Sequence, residues 1–321
     1  MDFQQCFNQE IDSLCQKLNP NLSYVKEYLL IPGKQFRPHL YLDFIKLSRD
    51  LTSKDYQLAV GLEFLHLFFL VHDDIMDGDE LRRDHKTIHF FYEEHFGKLK
   101  AQGLGIIIGD LLFSRSLELI MNNCDYASSA AIIFDVINKT AQGQLNEYLL
   151  YPSKFLEIKP ENLLKFYEEK TALYSVFLPL ALANINSGNK LSQIDLQKFS
   201  CNLGIAFQLR DDLIEYTMEK IRNQNELSAD ILRGKLTPIL LSILQNSSSE
   251  SLKIWIQEWE NGNLGKDSHD QILALGKTIK ADEQARLQIN EHYESAKNFA
   301  INNHLEKMPS LQLLFKLMAD A

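Results

Sequence analysis

The chain has 321 residues, 45% of them hydrophobic and 24% charged, an ordinary globular composition with enough apolar mass for a large core. Its 43 acidic and 33 basic side chains leave a formal net charge of -10, which argues against a nucleic acid or an anionic lipid surface held by bulk electrostatics. An anionic substrate would need local basic clusters or metal ions. The four cysteines (Cys6, Cys15, Cys124, Cys201) lack metal-ligand spacing, and the opening MDFQQCFNQEI has no basic stretch ahead of an apolar one. A cytoplasmic protein with reduced thiols is the expectation. The longest apolar runs, LHLFFLV ahead of His72 and LGIIIG ahead of Asp110, fall short of the roughly 18 residues of a membrane span.

Along the chain the apolar period is helical, as in Leu58, Leu62, Leu65, Phe69 and in Leu145, Tyr148, Leu149. Proline, glycine and serine gather at breaks near Ile31–Pro38, Asp79–Lys86, Tyr151–Pro160, Asn186–Ser192, Asn223–Ser228 and Ser247–Ser249. No alternating period and no repeat stands out. The expected architecture is all-α, one large helical bundle forming a single domain over residues 1–321.

The first break carries GKQFRP at 33–38, with Lys34 and Arg37 and a proline suited to a helix's first turn. Next, residues 72–83 read HDDIMDGDELRR. If the apolar run continues as a helix, Asp73 and Asp77 share a face at i and i+4, Asp74 stands beside them, and Arg82 and Arg83 follow. Unit charges about 4 Å apart repel by roughly 4 kcal/mol at an effective dielectric near 20, so such a cluster calls for neutralisation. Oxygen-only ligands select hard divalent cations, and magnesium favours a few carboxylates plus substrate phosphate.

Further on, Lys170 opens KTALY, and FQLRDDLIEY at 207–216 repeats the acidic theme. Asp211 and Glu215 stand at i and i+4 with Asp212 alongside, again after an apolar lead-in. Two such clusters suit facing positions across a bundle, holding two or three cations around one diphosphate. Lys235 closes DILRGKLTP. Arginine pairs suit bidentate phosphate contacts and lysines point-charge contacts.

These motifs, in this order over roughly residues 30–240, resemble the trans-isoprenyl diphosphate synthases, the farnesyl and geranylgeranyl diphosphate synthase family. The likeness rests on Gly33-Lys34…Arg37, Asp73-Asp74…Asp77 with Arg82-Arg83, Gly109-Asp110, Gly143-Gln144, Lys170-Thr171, Gln208 with Asp211-Asp212…Glu215, and Gly234-Lys235. It implies the isoprenoid synthase bundle with a central substrate cavity, and a transferase that condenses isopentenyl diphosphate with dimethylallyl, geranyl or farnesyl diphosphate. It implies three Mg2+ ions on Asp73, Asp74, Asp77, Asp211, Asp212 and Glu215. By the same resemblance Arg82, Lys170 and Lys235 would grip the allylic diphosphate, and Lys34, Arg37, His66 and Arg83 would hold isopentenyl diphosphate. Thr171 and Gln208 would present oxygens near the carbocation. A homodimer with no membrane span and no nucleic-acid partner is implied as well.

Three positions depart from the family pattern. Glu215 replaces an aspartate, Asp84 stands where glycine is usual, and Glu226 stands where a lysine is usual, so that one diphosphate contact is either lost or supplied by Arg222. Phe68 and Phe69 precede Asp73 by five and four residues, about 6–7.5 Å along a helix axis, and would floor the pocket in which the prenyl tail grows. A fifteen-carbon farnesyl product is therefore expected, with geranylgeranyl second. The competing readings are a class I terpene cyclase, which would lack the Lys34/Arg37 loop, and a non-catalytic regulatory subunit, which would have lost aspartates retained here.

Overall fold

The computed structural model describes residues 2–189, 191–218, 229–262 and 264–319. The expected break at Asn223–Ser228, and with it Arg222 and Glu226, lies outside the described residues. The described chain is almost wholly α-helical, as the sequence period predicts, and none of its helices is long and apolar enough to cross a membrane. It forms two compact units, Met1–Ala131 with Pro179–Lys190, and Ile132–Leu178 with Leu191–Ala321.

The first unit contains α1 (Phe3–Cys15), α2 (Tyr24–Leu29), α3 (Phe36–Lys46), α4 (Ser53–Asp77), a two-stranded hairpin, α5 (Ile88–Phe96) and α6 (Lys98–Asn123). Its axis is α4. Thr52 and Asp55 close a capping box at its start, and the Asp55 carboxylate also takes both arms of the Arg49 guanidinium, at 2.8 Å each. Leu58, Leu62, Phe64 and Leu65 are buried along the helix. Gly61 lets α4 lie close on α6, since a Cβ there would stand 2.8 Å from Ile120 Cγ1. The helix ends where Gly78 turns left-handed at φ 67°, a conformation open to glycine without strain.

The expected loop after α4 is more ordered than its period suggests. Leu81–Arg82 (β1) pairs antiparallel with His85–Lys86 (β2), a hairpin too short to leave an alternating pattern. Its two turn residues, Arg83 at φ 52° and Asp84 at φ 65°, are both left-handed, the geometry that a two-residue hairpin of this type demands. The break at Ile31–Pro38 is also shorter than expected. Gln35 caps α3 and Pro38 lies within its first turn, where its missing N–H costs nothing.

The second unit holds most of α7 (Tyr126–Tyr148), then α8 (Pro160–Tyr167), which runs without a break into a π-helical segment, Glu168–Phe177. The chain crosses the first unit in α9 (Leu178–Asn186) and returns as α10 (Gln193–Met218). There follow α11 (Ala229–Arg233), α12 (Pro238–Gln245), α13 (Ser249–Glu260), α14 (Lys266–Thr278), α15 (Ala281–Asn302) and α16 (Pro309–Ala319). Two glycines clamp the π segment. A Cβ at Gly143 of α7 would come within 2.8 Å of the Lys170 amide nitrogen, and one at Gly204 of α10 within 2.4 Å of the Ala172 Cβ. A wide turn held this tightly is a common device for setting side chains at a functional site.

Candidate active site

The last turn of α4 carries the first acidic cluster, and its members separate by environment. Asp74 is only 1% exposed. Its Oδ2 accepts the Tyr28 hydroxyl at 2.6 Å, and its Oδ1 accepts Arg82 Nε at 2.8 Å and a second Arg82 N–H. Burial pushes the Asp74 carboxyl up, against the pull of Arg82 and Tyr28. Asp73 is half-buried and Asp77 exposed. Arg82, expected as a diphosphate grip, is engaged by its own cluster, since Asp79 Oδ2 also lies 3.4 Å from it. Thr87 pins the hairpin from below, its hydroxyl donating to the Asp79 carbonyl at 2.7 Å.

The basic loop of the first unit is built around a guanidinium. Arg83 Nη1 donates to the Pro32 carbonyl at 3.1 Å, and a Cβ at Gly33 would sit 2.6 Å from that same nitrogen. Only glycine leaves room for the arginine. Lys34 is exposed, with Nζ 5.8 Å from the Phe36 ring centroid. His66 is 8% exposed, and its ring is held neutral by burial first and then by the charges of Arg37, Arg83 and Arg82. Gln35, Arg83 and Asp84 supply three of the five left-handed non-glycine residues among those described. Such conformations cost of order 1–3 kcal/mol each and cluster where a site needs them.

Gly109 and Asp110, on α6, are explained by His72. A Cβ at Gly109 would stand 2.2 Å from the His72 Nε2, which lies 3.1 Å from the Ile106 carbonyl and 3.9 Å from Asp110 Oδ1. Phe68 packs at a tilt against Phe69 (4.8 Å between centroids) and Phe113 of α6 (4.7 Å), and edge-on against His72 (4.7 Å). A third ring, Phe113, thus joins the two phenylalanines expected to floor the pocket, and sequence spacing could not place it because it comes from another helix.

In the second unit the pattern recurs with other partners. Asp212 is 5% exposed, its Oδ2 accepting the Tyr167 hydroxyl at 2.5 Å and its Oδ1 the Gln208 amide at 3.2 Å. Burial pushes its carboxyl up to about 6, against the opposing charge of Lys235. Asp211 and Glu215 are half-buried, and Asp211 pairs with Arg210 at 3.1 Å. Lys170, on the π segment, meets Glu147 of α7 at 2.5 Å. Thr171 donates to the Gln208 Oε1 at 3.3 Å. Lys235 meets Asp230 at 3.1 Å, and a small cavity is lined by Asp212, Glu215, Asp230 and Lys235. Sequence reasoning missed Tyr28, Tyr167, Glu147 and Asp230 as partners, because nothing in their spacing links them to the residues they touch.

Among the described residues, no three His, Cys, Asp or Glu side chains are disposed to hold a metal ion by themselves. The donor set nevertheless suits a hard divalent cation such as magnesium: carboxylates at i and i+4 on one helix, Asp73 with Asp77 and Asp211 with Glu215. Magnesium is commonly bound by one or two carboxylates plus substrate phosphates rather than by a full protein cage, so these residues fit it.

A family model for polyprenyl synthetases matches residues 19–275. A short chain isoprenyl diphosphate synthase of Methanothermobacter thermautotrophicus is 28% identical over 225 residues, 68% of this chain and 65% of that protein. A geranylgeranyl diphosphate synthase of Sulfolobus acidocaldarius is 28% identical over 284 residues, 83% of this chain and 82% of that one. Among solved structures, a decaprenyl diphosphate synthase from Rhodobacter capsulatus superposes with a TM-score of 0.82 at 23% identity, covering 99% of this chain and 94% of that one. A geranylgeranyl pyrophosphate synthase from Corynebacterium glutamicum, complexed with isoprenyl diphosphate and magnesium, gives 0.78 at 21%, covering 99% and 98%. These two structures support the fold.

Proposed function

This chain belongs to the polyprenyl synthetase family, a family of metal-dependent transferases, and from that premise we propose that it condenses isopentenyl diphosphate head to tail with an allylic diphosphate to give farnesyl diphosphate. The observation that carries the reading is the first unit's basic loop. The charges of Arg37 and Arg83 act on a neutral His66, Gly33 is cleared for the Arg83 guanidinium and Lys34 is exposed next to it in sequence, which suits a bound diphosphate rather than a solvated surface.

In this reading Asp73 and Asp77, and Asp211 and Glu215, would hold Mg2+ for the allylic diphosphate, three ions in all, while Asp74 and Asp212 each brace their own cluster from inside. Bound magnesium supplies positive charge that stabilises the departing diphosphate. Lys170 and Lys235 add their charge to the same group, and Thr171 and Gln208 turn oxygens toward the electron-poor carbon. The allylic carbon–oxygen bond breaks, the isopentenyl double bond forms the new carbon–carbon bond, and the released diphosphate takes the proton that is lost. The aromatic wall of Phe68, Phe69 and Phe113 excludes water and limits the growing tail. Bulky rings close below the metals favour fifteen carbons over the twenty of a geranylgeranyl product. A second copy of the chain, making a homodimer, would cover the exposed Ile106 and Ile107 of α6.

The test incubates the protein with isopentenyl diphosphate, each of dimethylallyl, geranyl and farnesyl diphosphate, and magnesium, with a chelator control. Dephosphorylated products are sized by chromatography. A chelator-sensitive farnesyl product is expected, and Phe68→Ala with Phe69→Ala should lengthen it. A longer product from the wild type would keep the reaction and overturn the floor. No product from any primer would leave the regulatory-subunit reading standing in its place.

A further inference from the structure

A lysine that grips a diphosphate must be held where the diphosphate binds, and Lys235 sits on the short link between α11 and α12. Both ends of that link are fixed. At the end of α11 the Lys235 N–H donates to the Asp230 carbonyl at 2.9 Å, and the Gly234 N–H to the Ile231 carbonyl at 3.0 Å. Gly234 closes this helix stop at φ 67°. At the start of α12 the Thr237 hydroxyl accepts the Leu240 N–H at 3.1 Å. The Lys235 ammonium then lies 3.1 Å from Asp230 Oδ2, on the cavity it shares with Asp212 and Glu215.

From α13, Trp259 reaches the same stop. It is 6% exposed and donates its indole N–H at 2.7 Å to the Ile231 carbonyl, the oxygen that already accepts from Gly234. The ring lies against Gly234, where a Cβ would stand 3.0 Å from its Cδ1, and Phe155 backs it with centroids 5.8 Å apart. Trp255, one turn earlier on α13, is 1% exposed, and its indole N–H finds no acceptor among the described residues. Packing α13 into the core therefore does not itself require an indole hydrogen bond.

We propose that Trp259 is a positioning residue: its indole fixes the stop of α11, and through it Lys235, before the allylic diphosphate binds. The inference rests on the reading of Lys235 as a contact to that diphosphate. A lysine's flexible four-carbon stem carries no geometry of its own. Its aim must come from the backbone at its root, held by Trp259, and from Asp230 at its tip. Without the indole N–H the link would gain freedom, and each binding event would have to order it again.

The experiment is Trp259→Phe, which keeps an aromatic ring and removes the N–H, set in a double-mutant cycle with Lys235→Ala. Binding of the non-ionising geranyl thiodiphosphate with magnesium, and separately of isopentenyl diphosphate, is measured by calorimetry on the full chain, alongside Tm. Loss of one neutral hydrogen bond behind the lysine should weaken the geranyl analogue by about fivefold. With Lys235 already replaced by alanine, the same change should cost less than about twofold. Isopentenyl diphosphate should bind as to the wild type, and Trp255→Phe should leave both ligands unaffected. Unchanged binding of the geranyl analogue in Trp259→Phe, an equal loss for both ligands, a comparable loss in Trp255→Phe, or a full loss that persists in the Lys235→Ala background overturns the proposal. Should Trp259→Phe fail to fold, benzothienylalanine at position 259, with sulfur in place of the N–H at nearly the same size, is read by the same criteria. If Lys235→Ala binds the geranyl analogue as well as the wild type does, the reading of Lys235 fails and the proposal falls with it. That result is distinct from a Lys235→Ala loss that Trp259→Phe does not reproduce.

Discussion

The two acidic clusters share a construction and differ in how it is electrically closed. In each, the second aspartate of the pair turns inward and accepts a tyrosine hydroxyl, Tyr28 for Asp74 and Tyr167 for Asp212. In each, the first aspartate and the carboxylate four residues later stay nearer solvent. Asp74 is closed by a guanidinium on one oxygen. Among the described residues Asp212 has the Gln208 amide there instead, with Lys235 acting through its charge, and its carboxyl is pushed up to about 6 by burial. An Asp-Asp pair on a helix thus divides its labour: one side chain turns inward to brace the cluster and the other faces outward.

The largest expected effect tests that division. Asp73→Ala and Asp211→Ala should each cut kcat on the order of 10³-fold, as losing a group that stabilises transition-state charge does, with Tm nearly unchanged. Saturating magnesium should not restore the rate. A variant that loses Tm in step with kcat would show that the outward residue also braces the fold, and the division would collapse. Next in size is the contrast between the inner pair. Asp74→Asn strips the charged partner from a partly buried guanidinium and should cost about 3 kcal/mol in urea unfolding. Asp212→Asn keeps an oxygen for Tyr167 and has no contacting arginine to strand, so about 1 kcal/mol is expected. Equal losses would break the comparison, and a larger loss at Asp212 would reverse it.

The sequence was legible where the chemistry is local. The 3.6-residue period marks α4 and α10, and the i, i+4 spacing puts Asp73 with Asp77 and Asp211 with Glu215 on shared faces. Glycines mark some of the helix ends, as at Gly78 and Gly97, and prolines mark some of the starts, as at Pro160 and Pro238. Other features depend on distant residues and left no local trace. Nothing in the spacing shows that Asp74 accepts two of the N–H groups of Arg82, and Phe113 reads as ordinary core until it meets Phe68. The hairpin after α4 has two residues in each strand, too few for alternation to register. Gly33, Gly109 and Gly143 stand in recognisable motifs, but their reasons are an arginine side chain, a histidine ring and a π-helical backbone from other parts of their units.

The smallest effect concerns a part of the first cluster that the second lacks. Asp84 occupies a left-handed turn position at φ 65°, which aspartate tolerates better than most side chains but glycine adopts freely. It also sets a negative charge next in sequence to Arg83. Asp84→Gly therefore removes strain and an unfavourable charge together, while giving the unfolded chain more freedom to lose. The two stability contributions oppose each other, so unfolding should shift by less than about 1 kcal/mol. The charge contribution has no such opposition: isopentenyl diphosphate should bind about twofold to fivefold more tightly, and that gain should shrink as salt is raised. A gain that persisted at high salt would point to backbone strain as its source. Weaker binding would mean that Asp84 helps to orient Arg83, making it a useful departure from glycine.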